Sequence, residues 1–521
     1  MVDPRVIAVV PLLPWVAAVS IGVGQILRRP RGMDVPSERP TLQVSLAANG
    51  ISLLIMLLVA VEALFAGAPG GVRLGEWFGS GGYGVDVSFT LDTLGLAMGL
   101  MVTFVLFLTV RFSMNYMHRE SGFQRYFLVL NLFAGAMSLL VLAGNGVLTF
   151  VGWELAGVSS YLLIGYMVER EIATRNANQA LITNRFGDAA FLLAIFLTFN
   201  YFGSSEWAIF SSAALSPTTP GINLIAMAFL IAALAKSAQI PFSPWIARAL
   251  DGPTPSSAVF YGSLMVHAGV YLTIRLEPLL QNTPGVMMVI SVLGLLTALY
   301  GWVCGLVVSD VKSSLMFSTT AQVGLMFFWC GQGLFDLAAW HLALHAFWRA
   351  WQFFHAPALI FMVSRPAKPA PEWIINQSWL HTAALQRFWL EQIGHILISR
   401  PTARLAADVD AFEKNTVNPT MGMPGQVNAI SSVVQWEERK TAQGNLTEDG
   451  VSHGKGIFSQ MIHLLAMLLK RFEEKIVLRG GGEGLTHTLR RIGDRLIRID
   501  QLLSEPRYLL LLIAITFVII L

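Results

Sequence analysis

The chain has 521 residues, 54% of them hydrophobic and only 13% charged, with a formal net charge of +3. A soluble domain carries about 25% charged residues, so the composition, with a mean hydropathy of +0.59, excludes a water-soluble globular protein. It selects an all-α fold class, a polytopic helical membrane protein. Two cysteines, Cys304 and Cys330, both in apolar stretches, support neither a disulfide framework nor a metal cluster.

In chain order, eleven apolar spans are predicted at about 5–25, 43–66, 91–110, 126–143, 146–166, 178–200, 223–239, 255–275, 285–308, 313–330 and 337–363, with a twelfth at 507–521. The first span lacks a basic leader and a small-residue cleavage site, so no cleavable signal is expected. Basic residues cluster in alternate loops: Arg28, Arg29, Arg31 and Arg39; Arg111, Arg119 and Arg125; Arg170 and Arg175; Arg248; Lys312; Arg365 and Lys368. The opposite loops, 67–90, 201–222, 277–284 and 331–336, contribute only Arg73. The positive-inside rule then sets the N-terminus outside and residues 366–505 in the cytoplasm of a bacterial inner membrane.

Three regions follow: a transmembrane domain 1–365, a cytoplasmic or interfacial helical region 366–505, and a C-terminal transmembrane helix 506–521. Within the middle region, TARLAADVDAFEK and two basic stretches between Ile457 and Ile499 read as amphipathic helices, of the kind that lie on a membrane surface or against a partner.

The charges inside the spans are the functional candidates, because an ammonium or carboxylate in hydrocarbon costs at least ~2.5–3.5 kcal/mol and marks an ion path more often than a packing site. Glu154 lies in LTFVGWELAGVSSYLLIGY and Lys236 in LIAMAFLIAALAKSAQIPFSPW, with no other charge between Glu206 and Arg248. The two are a natural charge pair. Pro241 and Pro244 break the helix just after Lys236, and such breaks persist only when buried in protein or lining a wet cavity. Arg185 and Asp188, at a spacing of three near the start of the sixth span, suit a pair on one helix face. His267 follows the broken segment PTPSS.

His341, His345 and Arg349, at spacings of four in HLALHAFWRA, share one face of the eleventh span, with His355 beyond them. Two histidines four apart suit zinc, a proton wire or packing alike, but the zinc-protease pattern needs a Glu after the first His, and Leu342 stands there. Asp310 and Lys312 read as turn and anchor residues. No nucleotide-binding loop or haem-ligand pattern is present. No catalytic site of its own, no cofactor, no bound metal and no nucleic-acid partner are therefore expected.

The stretches LTFVGWELAGVSSYLLIGY, NQALITNRFGDAA, AKSAQIPFSPWIARALDGPTPSSA, MVHAGVYL, DVKSSLMFSTTAQVGLMF and HLALHAFWRA resemble the antiporter-like subunits of respiratory complex I, of the subunit-L type, and of the Mrp sodium/proton antiporters. The resemblance spans residues 90–360. It implies inverted repeats with broken helices. It also implies roles: Glu154 and Lys236 as a charge-coupled pair, Asp188 as a neighbouring acid, His341 and His345 as the central relay. His267 joins this H+ or Na+ path, with Arg349, Arg185, His355 and Pro241 setting its field or gating it.

Three departures matter. Arg349 stands where the family usually has Lys, and arginine barely deprotonates. Tyr261 stands where the family often has His. After the eleventh span the second repeat is not continued. That layout is similar to the membrane subunit of the DAB inorganic-carbon complexes. It implies an ion-conducting subunit that couples a gradient to CO2 or bicarbonate accumulation, with a large soluble zinc protein of carbonic-anhydrase type as partner. The alternatives are a pumping subunit of a complex I-like oxidoreductase or an Mrp-type antiporter, alongside other membrane subunits, and a mainly structural anchor.

Overall fold

The computed structural model describes residues 3–27, 38–80, 83–211, 221–362, 369–394 and 400–413, with positions 216 and 396. The predicted twelfth span at 507–521, the basic stretches of 457–499 and the basic residues 28, 29, 31, 365 and 368 lie outside them.

The first helices are α1 (Val9–Leu27), entered through a 3-10 turn at Pro4–Ala8, and α2 (Arg39–Ala66). An antiparallel hairpin follows, β1 (Gly70–Ser80) and β2 (Tyr83–Leu91), in register from Gly70 opposite Leu91 to Ser80 opposite Tyr83. The bundle continues with α3 (Thr93–Tyr116), α4 (Phe123–Leu142), α5 (Gly146–Ile164) and α6 (Glu171–Phe202). Next come α7 (Ile222–Lys236), α8 (Pro244–Arg248), α9 (Thr254–Ser257), α10 (Ala268–Arg275) and α11 (Glu277–Leu280). The long helices end with α12 (Pro284–Gly305), α13 (Val311–Gly331) and α14 (Phe335–Met362). Shorter ones follow: α15 (Glu372–Ile375), α16 (Ser378–Leu385), α17 (Leu390–Gly394) and α18 (Arg400–Phe412).

Each of the eleven predicted spans falls on helix. Among the described residues eight helical stretches are long and apolar enough to cross a membrane. The three that fall short belong to the site: α7 has only 15 residues, and α13 and α14 are long enough but carry polar groups. The hairpin corrects the reading of 67–90 as a plain loop. Val85, Val87, Phe89 and Leu91 alternate with Asp86, Ser88 and Thr90, which is the two-residue period of a half-buried strand. Glycines in β1 weaken that pattern on the other strand.

The core sits around α4, almost entirely buried between α1, α3 and α5. Polar side chains fasten it. Asn49 donates to Asn131 Oδ1 at 2.8 Å, and Asn131 donates to Ser45 Oγ at 2.7 Å. Where burial removes the hydrophobic contrast between helices, such hydrogen bonds and close small-residue packing hold them together.

The first compact unit runs to Ser399, past the boundary at 365 expected from composition; residues from Arg400 form the second, in which α18 is described, on the segment read as amphipathic. Inside the first unit the stretch after α14 packs on the bundle: Trp373 stacks on Trp302 with ring centres 5.7 Å apart.

The pairing of α12 with α13 rests on glycine. A side chain at Gly301 or Gly324 would run into the backbone of the opposite helix, while Gly285 on the same α12 faces open space. Gly324→Leu is therefore expected to lower the detergent melting temperature by the equivalent of at least ~1–3 kcal/mol of overpacking, and Gly285→Leu to leave it unchanged. A fluorescence-detected thermal unfolding curve checks both.

Candidate functional site

Two interruptions of helical backbone build the site. The first follows α7. Ala238 takes a left-handed φ of +52°, and the Ile240–Pro241 peptide is cis. The freed backbone groups find partners inside the protein: Trp245 Nε1 donates to Ala235 O at 2.9 Å, and Ile240 N donates to Thr297 Oγ1 at 3.1 Å. The second break lies between α9 and α10. Residues Ala258–Ser263 wind as a π-helix, and Met265–His267 as a 3-10 turn. Leu264 N reaches back five residues to Val259 O at 3.0 Å. Such a local change of winding is a recurrent mark of functional sites. The two breaks meet where Ser237 Oγ donates to Val266 O at 2.6 Å. Lys236 and His267 are the next residues outward on either side of that bond.

The first charge cluster joins α5, α6 and α7. Lys236, 1% exposed, donates to Trp153 O at 2.8 Å and lies 5.1 Å from the centre of the Trp153 ring. The Trp153 indole donates to Asp188 Oδ1 at 2.9 Å. Arg185 bridges the two carboxylates: its guanidinium pairs with Glu154, and its Nε stands 3.0 Å from Asp188 Oδ2. Glu154 and Lys236, expected to be a charge-coupled pair, act on each other at longer range while Glu154 takes its ion pair elsewhere. Glu154 is ion-paired to Arg185, and both Glu154 and Asp188 act on the Lys236 ammonium through their fields. Arg185 is also deeper than expected, because α6 begins at Glu171, well before the predicted start of that span. Two cations face two carboxylates, so the cluster is neutral when Lys236 is protonated.

Gly157 makes this meeting possible. A Cβ there would stand 3.1 Å from Lys236 Nζ and 3.2 Å from Arg185 Nη2. Both cation head groups therefore converge on one glycine of α5.

The second cluster joins α10, α13 and α14. His267 Nε2 and His345 Nδ1 are 3.0 Å apart, and Arg349 Nε is 3.4 Å from His345 Nε2. A guanidinium only donates, so His345 Nε2 accepts. Neutral His345 then carries its proton on Nδ1 and donates it to His267 Nε2. By the same logic neutral His267 carries its proton on Nδ1, a buried atom with no hydrogen-bond partner among the described residues. The hydrogen bonds thus have a direction, from Arg349 through His345 to His267. Arg349 Nη2 also donates to Ser318 Oγ at 2.8 Å, and His341 Nε2 lies 2.8 Å from Gln322 Oε1.

His355 stays apart. It is exposed, and its Nδ1 bonds only Trp351 O at 2.9 Å. Pro241 contributes the break and not a polar group. No set of three or more His, Cys, Asp or Glu residues suited to a metal occurs among the described residues. Trp153, Gly157, Ser318 and Gln322 were not singled out from the sequence. Trp153 adjoins Glu154, and Ser318 and Gln322 repeat at four, the spacing of the α14 polar residues they meet.

Residues 143–367 match the family described as NADH:quinone oxidoreductase/Mrp antiporter, TM, and residues 77–127 match that of NADH-Ubiquinone oxidoreductase (complex I), chain 5 N-terminus. The chain is 34% identical over 357 residues to NAD(P)H-quinone oxidoreductase subunit 5, organellar chromatophore 1, of Paulinella chromatophora, covering 67% of this chain and 53% of that one. It is 37% identical over 312 residues to NADH-quinone oxidoreductase subunit L of Campylobacter jejuni, covering 59% and 52%. The chain spans about half the length of these relatives. A solved structure, that of the Mrp complex from Dietzia sp. DQ12-45-1b, shares the fold with a TM-score of 0.57 at 24% identity, covering 67% of this chain and 37% of that one. Matched segments, fold and buried charges agree: the chain belongs to the family of antiporter-like membrane subunits found in complex I-type quinone oxidoreductases and Mrp antiporters.

Proposed function

We propose that this chain is an ion-translocating subunit of a multi-subunit membrane complex of the complex I or Mrp kind, carrying H+ or Na+ through the two buried clusters. One observation carries the reading: a neutral quartet of Glu154, Arg185, Asp188 and Lys236 adjoins the His267–His345–Arg349 line at the two helix breaks. Buried charges in apolar helices are costly, and a break beside them lets water or an ion reach them.

In this reading Lys236 is the switching charge. When it loses its proton, the quartet is left with one net negative charge. Arg185 no longer faces a second cation at Gly157 and moves toward the carboxylates. Arg349 keeps its charge throughout, because a guanidinium barely deprotonates. It acts as a fixed field at one end of the histidine line, and His267 and His345 pass the proton along it. The basic residues support a cytoplasmic location for the α5–α6 connection and for the Arg248 end of α8, with the N-terminus on the opposite side.

The relatives named above are quinone-oxidoreductase subunits and an Mrp complex, which favours the pump or antiporter alternative over the carbon-uptake role expected from the sequence. A zinc-bearing soluble partner has no support in those comparisons.

The test is ion flux in liposomes containing the purified complex, read with a pH dye and a sodium dye. Lys236→Met is expected to keep the complex assembled, because Arg185 still pairs both carboxylates, and to cut flux at least about tenfold, because the one charge that switches is gone. Undiminished flux in an assembled Lys236→Met complex would sink the reading. Gly157→Ala pushes both cation head groups aside by a few tenths of an ångström; about a tenfold loss of flux is expected, less than the ~10²-fold that a misplacement of about 1 Å can cost. Gly165→Ala, at the cap of the same helix, whose Cβ meets ordinary contacts at 3.4 Å, is the control and should transport normally.

A further inference from the structure

A buried polar line leads away from the quartet along α6. Asn176, Asn184 and Asp188 recur at spacings of eight and four, on one side of the helix, and all three are buried. Twelve residues of helix carry the line about 18 Å, from the charge cluster to the start of α6. Asn184 bonds only its own helix, Nδ2 to Ala180 O at 2.8 Å; its Oδ1 is buried with no hydrogen-bond partner among the described residues. An unpartnered amide oxygen at that depth costs free energy unless water or an ion reaches it.

At its far end the line meets residues from the first helix break. Arg248 Nη1 donates to Asn176 Oδ1 at 2.9 Å, and Asn176 Nδ2 donates to Asp251 Oδ2 at 2.5 Å. Arg248 Nε is a second buried polar atom without a hydrogen-bond partner among the described residues. Lys312 reaches the same corner, its Nζ 3.4 Å from Leu250 O and from Gly252 O.

The stretch after α14 covers this corner. Arg248 is ion-paired with Glu391 of α17. Arg387 lies over the Phe317 ring at 5.9 Å, and Phe388 meets Tyr300 at 6.1 Å. Arg387, Phe388 and Trp389 all take a left-handed backbone, with φ of 52°, 54° and 53°. Three successive non-glycine residues in that region are strained, by of order 1–3 kcal/mol each, and persist only where surrounding contacts impose them. The contacts that impose it here are those of Arg387, Phe388 and Glu391 on α8, α12 and α13.

We propose that the path to Lys236 opens at the Arg248–Asn176–Asp251 corner and runs past Asn184, and that the Glu372–Gly394 segment is a gate over it, held shut by Glu391. The proposal rests on the ion-translocating reading above. Opening requires that Glu391 leave Arg248 and that Arg387 and Phe388 leave the Phe317 and Tyr300 rings, and relaxation of the strained turn offsets part of that cost.

The test uses the intact complex in liposomes with the same two dyes. Arg248→Cys and Glu391→Cys, in a background with Cys304 and Cys330 replaced by serine, are joined by a bis-methanethiosulfonate, which forms a disulfide with each thiol and releases a sulfinate from each end. Cross-linking is expected to cut flux at least fivefold and reduction to restore it. Glu391→Gln is expected to raise flux about threefold, the weight of one partly exposed ion pair. Asn184→Leu is expected to cut flux about tenfold while Asn184→Ser retains most of it, a rescue that a packing role does not give. Full flux in the cross-linked protein, or no cross-linking at all, overturns the gate. Equal flux in Asn184→Leu and wild type overturns the route. If Lys236→Met abolishes flux while the gate and route variants behave as wild type, only this proposal fails. If the wild-type complex moves neither ion, the reading beneath it fails as well.

Discussion

Everything at the centre of this protein answers to one constraint, an ammonium shut away from bulk solvent. Lys236 has a backbone carbonyl at 2.8 Å, an aromatic face at 5.1 Å and two carboxylates acting from further off. None of these alone offsets the cost of a cation in hydrocarbon. Together they do so without fixing the ammonium in a single tight ion pair. The direct ion pairing goes to Arg185, which takes both Glu154 and Asp188. A permanent cation thus neutralises one acid's worth of charge and leaves the rest to Lys236. That division of labour leaves Lys236 with a charge it can lose.

The helix breaks follow from the same constraint. A continuous α7 would bury Lys236 in the middle of a regular helix with no route for water. Breaking it frees backbone groups, which in lipid cost several kcal/mol each if unpaired. The sequence supplies a dedicated partner for each: the Trp245 indole for Ala235 O, Thr297 for Ile240 N, and Ser237 across to Val266 O. The last of these ties one break to the other. The stretch from Thr254 to Arg275 that carries the second break is wholly buried, so its π-turn is shielded from lipid by α3, α13 and α14.

Much of this was legible in the chain. Long apolar runs gave away the helices because membrane-length segments are the strongest periodic signal a sequence carries. The charged residues stood out because everything around them is apolar. Pairing was harder. Glu154 and Lys236 were matched because they were the most isolated charges, yet which acid meets which cation depends on helix rotation and on a glycine. Arg185 reads as lying near the membrane edge because the span at 178–200 leaves the polar EIATRNA before it outside; the helix runs through that stretch, held by Asn176 to Arg248. The hairpin was missed because its first strand holds four glycines, which hide the alternation its partner shows. His355 was included for its sequence neighbours, but ten residues past His345 it has rotated out of the line.

The arginine at 349 poses the sharpest question about mechanism, and its geometry suggests an answer. A lysine there could lend and reclaim a proton; a guanidinium does neither at any accessible pH. Its position instead determines which nitrogen of His345 is an acceptor, and through it which nitrogen of His267 carries hydrogen. A proton wire built on neutral imidazoles conducts only after every ring has reset its tautomer, and an immovable donor at one end opposes that reset. The same donor also holds Ser318, so turning the wire around means breaking two hydrogen bonds at Arg349 together. In the proposed reading this slows the reset of the wire, while the ion gradient sets the direction of net flux, and a change in charge at the neighbouring quartet would loosen the hold of Arg349. In that reading the quartet and the histidine line act as one device, in which Lys236 supplies the change of charge and Arg349 the fixed donor that the wire must work against.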